Sequence, residues 1–474
     1  MKSINKSNGQ IVILFAIYLI ALIGMVGLAI DSGLAYGVKA KLSAAVDAAV
    51  IAAGRALGTG ANDAERIANA KAAGQKYFDG NFPNNYLRAT PTLKSIEAQH
   101  NPNGYWEVSA TATAVMQTNF IPVLGWNQVN VAAIGETIRR DLDLVLVLDT
   151  TGSLGPPWSP PGTFDLVKSA AVNFISKFAE GPGGDRVGLV TFAMGAVVDV
   201  PIDKSATRGF NKTQVINAIN ALTNQGGTAS AEGMRDGFNE LNAVPATLRS
   251  SQRVIVFFSD GAPNGVPASF TRSGGTTLTG DIYAGPSGID DGNVVYWSAK
   301  ADAAYRWDQR NTFIGTADIP SLPQTSGDTL TLTGIGSIPL ASYNNIRSLA
   351  GTPYTNTRCN ANKAARNMLE NIANTSRAQN IVVFAIGLGS MLNQLEVIGC
   401  SYDPPKIIYP LGICPAPSEC LECGCNIMKR VANTMDANTY NAAQPAGKFV
   451  YAANASDLDS AFSAIASEIL RLTK

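Results

Sequence analysis

Histidine is almost absent from this sequence, which contains a single one, His100, among its 474 residues. Serine and cysteine hydrolases, and most zinc sites, use histidine as a base or a ligand, so His100 alone would have to carry such chemistry. It stands in the segment His100-Asn-Pro-Asn-Gly, whose composition predicts a solvated turn. The composition therefore argues against a hydrolase and favours a binding or structural protein.

Net charge is also lacking, because 36 Lys and Arg residues are balanced by 36 Asp and Glu residues. Proteins that bind nucleic acid neutralise its phosphates with an excess of basic residues. A balanced chain has no overall field that would draw it to nucleic acid or to anionic lipid. We therefore expect no nucleic-acid partner.

Cysteine is missing from the first three quarters of the chain, and six cysteines follow in the last quarter. An even number predicts disulfides if this part of the chain lies outside the cytoplasm. The spacing Cys420-Leu-Glu-Cys423-Gly-Cys425 leaves a zinc site as an alternative, although no second well-spaced pair or histidine accompanies it. The disulfide candidates are Cys359, Cys400, Cys414, Cys420, Cys423 and Cys425.

An apolar run without charged residues extends from Ile11 to Ile30, which is about the length at which a helix spans a bilayer. The poor cleavage site after this run favours a retained anchor over a cleaved signal peptide. Lysines flank the run on both sides, so the distribution of positive charge does not decide its orientation. The short amino-terminal flank and the cysteines favour a single-pass protein with most of the chain outside the cytoplasm.

The anchor continues into an Ala-rich helix, and residues 1–58 form the first predicted domain. The small side chains of this helix would allow other helices to pack closely, although alanine is also simply a strong helix former. Residues 59–138 predict one helix and three strands, which together make a small α+β spacer domain. Within it, Glu107 to Val115 alternates between apolar and hydroxyl-bearing residues, as a half-buried strand does.

From residue 139 to residue 474 apolar strands alternate with amphipathic helices, which predicts an α/β fold with a doubly wound, mostly parallel sheet. Two long segments interrupt the alternation, at about 262–358 and 387–426. Each leaves the sheet at the end of a strand, so we expect both on the same face. The predicted strands include 142–148, 186–192, 253–259 and 380–386, with a short edge partner at 196–200.

Oxygen-bearing side chains follow two of these predicted strands. The buried strands 142–148 and 253–259 each end in an aspartate, and a threonine precedes a helix between them. Because open α/β sheets carry their sites at the carboxyl ends of strands, we expect these side chains to meet. Carboxylate and hydroxyl oxygens suit a hard cation, Mg²⁺ or alternatively Mn²⁺ or Ca²⁺. The candidate metal ligands are Asp149, Thr151, Ser153, Thr228 and Asp260.

Short Asp/Thr/Ser loops also follow strands as ordinary turn formers and helix caps. The whole pattern, however, resembles the metal-ion-dependent adhesion site of the von Willebrand factor A (VWA) domain. That site has Asp-x-Ser-x-Ser followed by a distant Thr and a distant Asp, and here Thr151 stands where the first Ser would be. The resemblance implies a bound Mg²⁺ whose coordination is completed by an Asp or Glu of a protein partner.

The first fifty residues carry a second pattern, namely glycines within the apolar run, the segment Gly27-Leu-Ala-Ile-Asp31 and the Ala-rich helix after it. This pattern resembles the TadE/TadG-like proteins of the Flp/Tad (tight adherence) pilus, some of which carry a VWA domain. Pilin-like proteins of that system are cleaved after a glycine, and Gly9-Gln10 could be such a junction. Leu14 replaces the glutamate that pilins carry there, so we expect neither processing nor a role as a major subunit.

Together the two resemblances imply a non-enzymatic component of a Tad-type pilus assembly or adhesion system, held in the inner membrane of the bacterial cell envelope. It would bind a protein partner, either a pilus subunit or a surface ligand, through the metal site. A structural alternative is that the metal only ties loops together while the long amino-terminal helix packs with pilin-like subunits. Catalysis by a metal-activated water is a third hypothesis, which lacks a histidine base.

Overall fold

The computed structural model describes residues 8–58, 60, 62–101, 105–261, 263–271, 277–283, 293–298, 312–315, 329–332, 334–339, 343, 353–393 and 424–473. The chain divides into two compact units, with the boundary between Arg140 and Asp141. Each unit has its own hydrophobic core, as expected for domains that bury their apolar residues separately.

The first unit packs two helices and an antiparallel sheet with the strand order β1-β2-β3. Its core lies between the sheet and the second half of the long helix α1, where Ala and Val side chains let the helix approach the strands closely. The alanines Ala45, Ala49, Ala52 and Ala53 of α1 are thus buried within this unit, whereas Ala40 and Ala44 are exposed. The elements are α1 (Asn8–Ala56), α2 (Asp63–Asn81), β1 (Ala89–Asn101), β2 (Tyr105–Gln117) and β3 (Gln128–Arg140).

The first half of α1 differs from the second in its exposure. From Ile11 to Ile30 every residue is exposed except Gly24 and Gly27, whereas Val38 and Leu42 are fully buried. Among the described residues, one helix is long and apolar enough to cross a membrane, and it is this one. The exposed apolar half is therefore the part of the unit that suits a bilayer.

His100 lies in a strand rather than in the predicted turn, although its side chain is exposed as predicted. β1 continues to Asn101, which pairs with Tyr105 at the start of β2. The imidazole stacks on the indole of Trp106 with ring centroids 4.6 Å apart, and its Nδ1 lies 3.2 Å from Oδ2 of Asp63. Strand pairing and aromatic stacking thus place His100 in β1.

The second unit contains a six-stranded sheet with the order β15-β14-β7-β4-β5-β6. All neighbouring strands are parallel except β6, which runs antiparallel to β5 at one edge. This arrangement confirms the predicted doubly wound, mostly parallel sheet. The strands are β4 (Leu142–Asp149), β5 (Arg186–Phe192), β6 (Ala196–Val200), β7 (Gln252–Ser259), β14 (Ile381–Leu388) and β15 (Phe449–Ala452).

Helices cover both faces of this sheet and produce two cores. Leu144 and Leu146 of β4 face the core formed with α3, α4 and α8, whereas Val145 and Val147 face the core formed with α5, α6 and α7. A strand buried on both faces has no polar side to alternate, which explains its continuous apolar run. The helices are α3 (Thr163–Ile175), α4 (Lys212–Asn220), α5 (Ser230–Ala243), α6 (Pro353–Ala378), α7 (Gly424–Ala432) and α8 (Leu458–Leu472).

Further strands lie in the segment between β7 and α6. Four of them form an antiparallel sheet with the order β11-β10-β9-β8, and two form a hairpin. They are β8 (Gly265–Thr271), β9 (Thr277–Tyr283), β10 (Asn293–Ser298), β11 (Thr312–Gly315), β12 (Thr329–Leu332) and β13 (Gly336–Pro339).

The second interrupting segment and the cysteines fall mainly outside the described residues. Cys400, Cys414, Cys420 and Cys423 are not among these residues, and the side chains of Cys359 and Cys425 are not described either. The disulfide and zinc hypotheses therefore stay predictions.

Candidate metal centre

The site lies where the winding of the sheet reverses. From β4 the chain proceeds to β5 and β6 on one side, and it then returns to β7 on the other side of β4. Helices that leave neighbouring strands in opposite directions open a crevice at the carboxyl ends of those strands. β4 ends at Asp149 and β7 ends at Ser259, so both strands deliver polar side chains to this crevice.

Asp149 is fully buried, and both of its carboxylate oxygens are held. Oδ1 accepts a hydrogen bond from the backbone N–H of Thr151 at 2.7 Å, and Oδ2 accepts one from the hydroxyl of Ser259 at 2.5 Å. The first bond bends the chain directly after β4 into a tight loop. The second bond ties the end of β4 to the end of β7.

Asp260 meets the two hydroxyls of that loop. Its Oδ1 accepts a hydrogen bond from the Ser153 hydroxyl at 2.8 Å and lies 3.5 Å from Oγ1 of Thr151. The Thr151 and Ser153 hydroxyls are themselves 2.8 Å apart. The other carboxylate oxygen, Oδ2, is buried and has no hydrogen-bond partner among the described residues. Residues more than a hundred positions apart in sequence thus form one cluster of oxygens.

Thr228 is held beside this cluster by its backbone. Its N–H donates to Oδ1 of Asn264 at 2.8 Å, and its carbonyl accepts from the N–H of Asn264 at 3.1 Å. The loop before it contacts the loop after β4, because the Gly152 N–H donates to the Gly226 carbonyl at 3.1 Å. Within the described part of the chain, no hydrogen bond joins the Thr228 hydroxyl to either carboxylate.

Burial raises the pKa of both aspartates. It raises the pKa of Asp149 to about 6, and together with the charge of Asp149 it raises the pKa of Asp260 well above its ordinary value. Two buried carboxylates that repel each other favour protonation unless a positive charge lies between them. The unpartnered Oδ2 of Asp260 and the all-oxygen donor set therefore fit a hard divalent cation such as Mg²⁺.

Two supporting residues were not predicted from the sequence. Ser259 holds Asp149, and Asn264 holds the backbone of Thr228. Ser259 directly precedes Asp260 at the end of a buried strand, so its position was a usable signal. Nothing in the local sequence distinguishes Asn264 from an ordinary turn residue.

The fold and the arrangement of this site define the second unit as a VWA domain. In agreement, residues 143–274 match the family model for the von Willebrand factor type A domain. Residues 9–56 match the family described as Flp pilus-assembly TadE/G-like. The chain therefore combines a TadE/G-like amino-terminal segment with a VWA domain.

Solved structures that resemble the chain include the pilus adhesin SpaC from Lactobacillus rhamnosus GG, at 14% identity and a TM-score of 0.36, over 81% of this chain and 34% of that one. Proximal thread matrix protein 1 from the mussel byssus matches at 13% identity and a TM-score of 0.32, over 70% of this chain and 46% of that one. The vWF domain of the type V pili tip protein Mfa5 from Porphyromonas gingivalis matches at 15% identity and a TM-score of 0.36, over 71% of this chain and 98% of that one.

The alignments cover about a third and about a half of the first two of these proteins. At such identities and TM-scores the likenesses carry no argument about activity or partners. A sequence comparison with curated proteins finds no match.

Proposed function

We propose that this chain is a non-enzymatic component of a Tad/Flp-type pilus assembly or adhesion system that binds a protein partner through a divalent-cation site. Asp149 and Asp260 would hold the cation, which is Mg²⁺ in the first instance and Mn²⁺ or Ca²⁺ as alternatives. Thr151, Ser153 and Thr228 would contribute hydroxyls to it or to its bound waters. A bound cation would supply positive charge and a coordination position for a carboxylate oxygen of the partner.

The proposal depends chiefly on one observation, the buried and unpartnered Oδ2 of Asp260 beside a second buried carboxylate. Such a pair is costly in a stable domain unless a ligand compensates it. The hydrogen bonds from Thr151 and Ser259 orient the Asp149 carboxylate before any ligand arrives. A pre-oriented site loses little conformational entropy on binding, which favours affinity for a partner.

We further propose that α1 anchors the chain in the inner membrane and that the VWA domain lies outside the cytoplasm. The apolar half of α1 has the length and exposure of a membrane span. The partner would then be a pilus subunit or a ligand at the cell surface. The structural alternative needs α1 to pack with other helices. Part of its Ala-rich half is already buried in its own unit, so the run 11–30 and the exposed side of that half, which includes Tyr36 and Ile51, would be available for this purpose.

Affinity capture of the detergent-solubilised full chain from cells that assemble the pilus tests the proposal. We expect a protein partner to be retained in Mg²⁺ and released by excess chelator. Asp260→Asn should abolish its retention, because Asn keeps the size and the acceptor for Ser153 but lacks the charge. Asp165→Asn is the matched control, since Asp165 is an exposed carboxylate on α3.

Retention that is equal in Mg²⁺ and in chelator would contradict the metal-dependent function. Equal retention by wild type and Asp260→Asn, with Asp165→Asn also unchanged, would contradict the role of this site in particular. In either case the structural alternative, in which α1 carries the function by packing with pilin-like subunits, would be preferred.

A further inference from the structure

The connection between β2 and β3, residues 118–127, is unusually apolar for a loop at the end of a hairpin. It contains Phe120, the segment 121–124 (Ile-Pro-Val-Leu) and Trp126. No charged residue occurs anywhere from Val108 to Gly135. Loops exposed to water normally carry polar or charged side chains, so this composition requires an explanation.

The loop is fixed to α1 at the end of the apolar run. The Asp31 carboxylate is fully buried and accepts hydrogen bonds from three successive backbone N–H groups of the loop. The distances are 3.0 Å from Asn119, 2.9 Å from Phe120 and 3.0 Å from Ile121. Asp31 is the first charged residue after Lys6, so the loop is held where the apolar run meets the polar part of the chain.

The loop also covers the face of the run that carries glycines. A Cβ placed on Gly27 would lie 2.5 Å from the Cβ of Phe120, so only a glycine allows this approach. Gly24 and Gly27 are the buried residues of the otherwise exposed run. Two aromatic side chains of the loop stay accessible, since Phe120 is 44% exposed and Trp126 is 61% exposed.

The depth of the loop relative to a bilayer follows from helix geometry. Gly27 lies four residues before Asp31 in α1, and four residues correspond to about 6 Å along a helix. Twenty helical residues are about 30 Å long, which equals the thickness of a hydrocarbon core. When 11–30 spans the membrane, Phe120 therefore lies at or just below the boundary between hydrocarbon and headgroups.

We propose that residues 118–127 form a second membrane contact, in which Phe120 and Trp126 insert into the bilayer interface beside α1. This inference rests on the proposed anchoring by α1. Trp126 is favoured at that interface because its indole combines an apolar body with a polar N–H, and Phe120 supplies apolar surface at the edge of the hydrocarbon core. Arg88 donates a hydrogen bond to the Asn119 side chain and is exposed, so it suits a lipid phosphate at the same level.

A lipid surface explains the loop better than a protein partner does. The exposed aromatic residues are continuous with an apolar helix surface that itself requires lipid, and residues 118–127 carry no charged side chain with which a protein partner could form an ion pair. A helix alone leaves rotation about its axis free. A helix and a loop that enter the bilayer together hold the first unit in one orientation relative to the membrane.

Tryptophan emission of the full chain in phosphatidylcholine vesicles tests the inference. Vesicles with brominated acyl chains quench tryptophans that enter the bilayer, and vesicles without bromine are the reference. We expect the wild-type chain to be quenched and Trp126→Phe to lose most of that quenching. Trp158→Phe is the matched control, because Trp158 is similarly exposed but belongs to the second unit, and this variant should be quenched as strongly as the wild type.

Flotation of the same vesicles distinguishes anchoring by α1 from the membrane contact of residues 118–127. A chain that floats while Trp126→Phe is quenched as strongly as the wild type would overturn the loop contact and leave the anchor intact. A chain that does not float at all would overturn the anchor and the loop contact together. Near-identical circular dichroism of wild type and Trp126→Phe would exclude a folding defect as the cause of any difference.

Discussion

At the scale of single residues, the two carboxylates of the candidate metal centre differ in how their oxygens are held. Both oxygens of Asp149 accept hydrogen bonds, whereas Asp260 has one oxygen held by Ser153 and one, Oδ2, without a partner among the described residues. Removal of the Asp149 carboxylate would leave the Thr151 N–H and the Ser259 hydroxyl without their acceptor. Asp260 is therefore the better residue to substitute when metal binding is to be separated from folding.

We predict that Asp260→Asn abolishes metal binding and leaves folding intact. Without metal, the free energy of unfolding should stay equal or rise by about 1 kcal/mol, because the repulsion between two buried carboxylates is relieved. The wild type should gain about 2.7 kcal/mol from Mg²⁺ at a hundred times its Kd, and the variant should gain nothing. Thermal unfolding with and without Mg²⁺ measures both effects.

The control for this measurement is Asp165→Asn, which removes an exposed carboxylate and should keep the full Mg²⁺ effect. A wild-type protein that Mg²⁺, Mn²⁺ and Ca²⁺ all fail to stabilise would contradict a cation site. A variant that is as strongly stabilised as the wild type would show that Asp260 is not a ligand.

Asp31 allows a second prediction at this scale. Asp31→Ala should leave the N–H groups of Asn119, Phe120 and Ile121 without an acceptor, at a cost of about 1–3 kcal/mol. Their hydrogen exchange should accelerate on the order of tenfold or more, since local opening becomes easier by that free energy. Hydrogen–deuterium exchange of the chain in detergent measures this.

Asp31→Asn should give an intermediate rate, because an amide oxygen still accepts hydrogen bonds but carries no charge. Exchange at these three positions that is the same in Asp31→Ala and the wild type would contradict the anchoring role of the carboxylate.

At the scale of elements, a buried ion pair joins two helices of the second unit. Glu370 of α6 and Arg430 of α7 are both fully buried, and Arg430 Nε donates to Glu370 Oε1 at 2.8 Å. Such a pair contributes little net stability, but the loss of one partner leaves an uncompensated charge in a low dielectric. The pair therefore constrains which helices can pack together in this core.

We predict that Glu370→Ala destabilises the second unit by about 3–5 kcal/mol, because Arg430 would remain buried without its carboxylate. The double variant Glu370→Leu/Arg430→Met should recover most of this loss. Urea unfolding of the three proteins, followed by circular dichroism, measures the differences.

Glu468→Ala serves as the control for this experiment, since Glu468 pairs with the exposed Arg471 within α8 and exposed pairs contribute about 0–1 kcal/mol. A loss below about 1 kcal/mol in Glu370→Ala would contradict the importance of the buried pair.

The elements themselves were largely predictable from the sequence. The strands Arg186–Phe192 and Ala196–Val200 coincide with their predicted ranges, and α1 is continuous through both predicted helical segments. These elements have strong local signals, which are a continuous apolar run for a buried strand and an Ala-rich segment for a helix. β1 was predicted less well, since its extension to Asn101 depends on pairing with β2.

At the scale of the whole molecule, the chain consists of two units with separate cores. Separate cores allow separate folding, because each unit buries its own apolar residues. The proposed roles divide in the same way, with membrane contact in the first unit and cation-dependent binding in the second.

We predict that chains comprising residues 1–140 and residues 141–473 fold separately. The first should float with vesicles, and the second should remain in solution and show the same stabilisation by Mg²⁺ as the full chain. Vesicle flotation and thermal unfolding measure the two outcomes. Aggregation of 141–473, or loss of its Mg²⁺ effect, would contradict the independence of the units.

The shorter chain also distinguishes the two functions in cells. If cells that contain only residues 1–140 still assemble pili and attach, the function resides in the long helix α1, as the structural alternative states. If attachment or assembly fails, the VWA domain is required.

Local sequence determined the helices, the buried strands, the apolar anchor and the identity of the candidate ligands, because hydrophobic periodicity and side-chain chemistry are properties of short segments. Only the tertiary structure decided that Ser259 holds Asp149 and that Asp31 holds a loop 88 positions away. It also showed Thr228 held beside the cluster by its backbone rather than hydrogen-bonded to the carboxylates. Contacts between distant residues depend on how the elements pack, and no short segment contains that information.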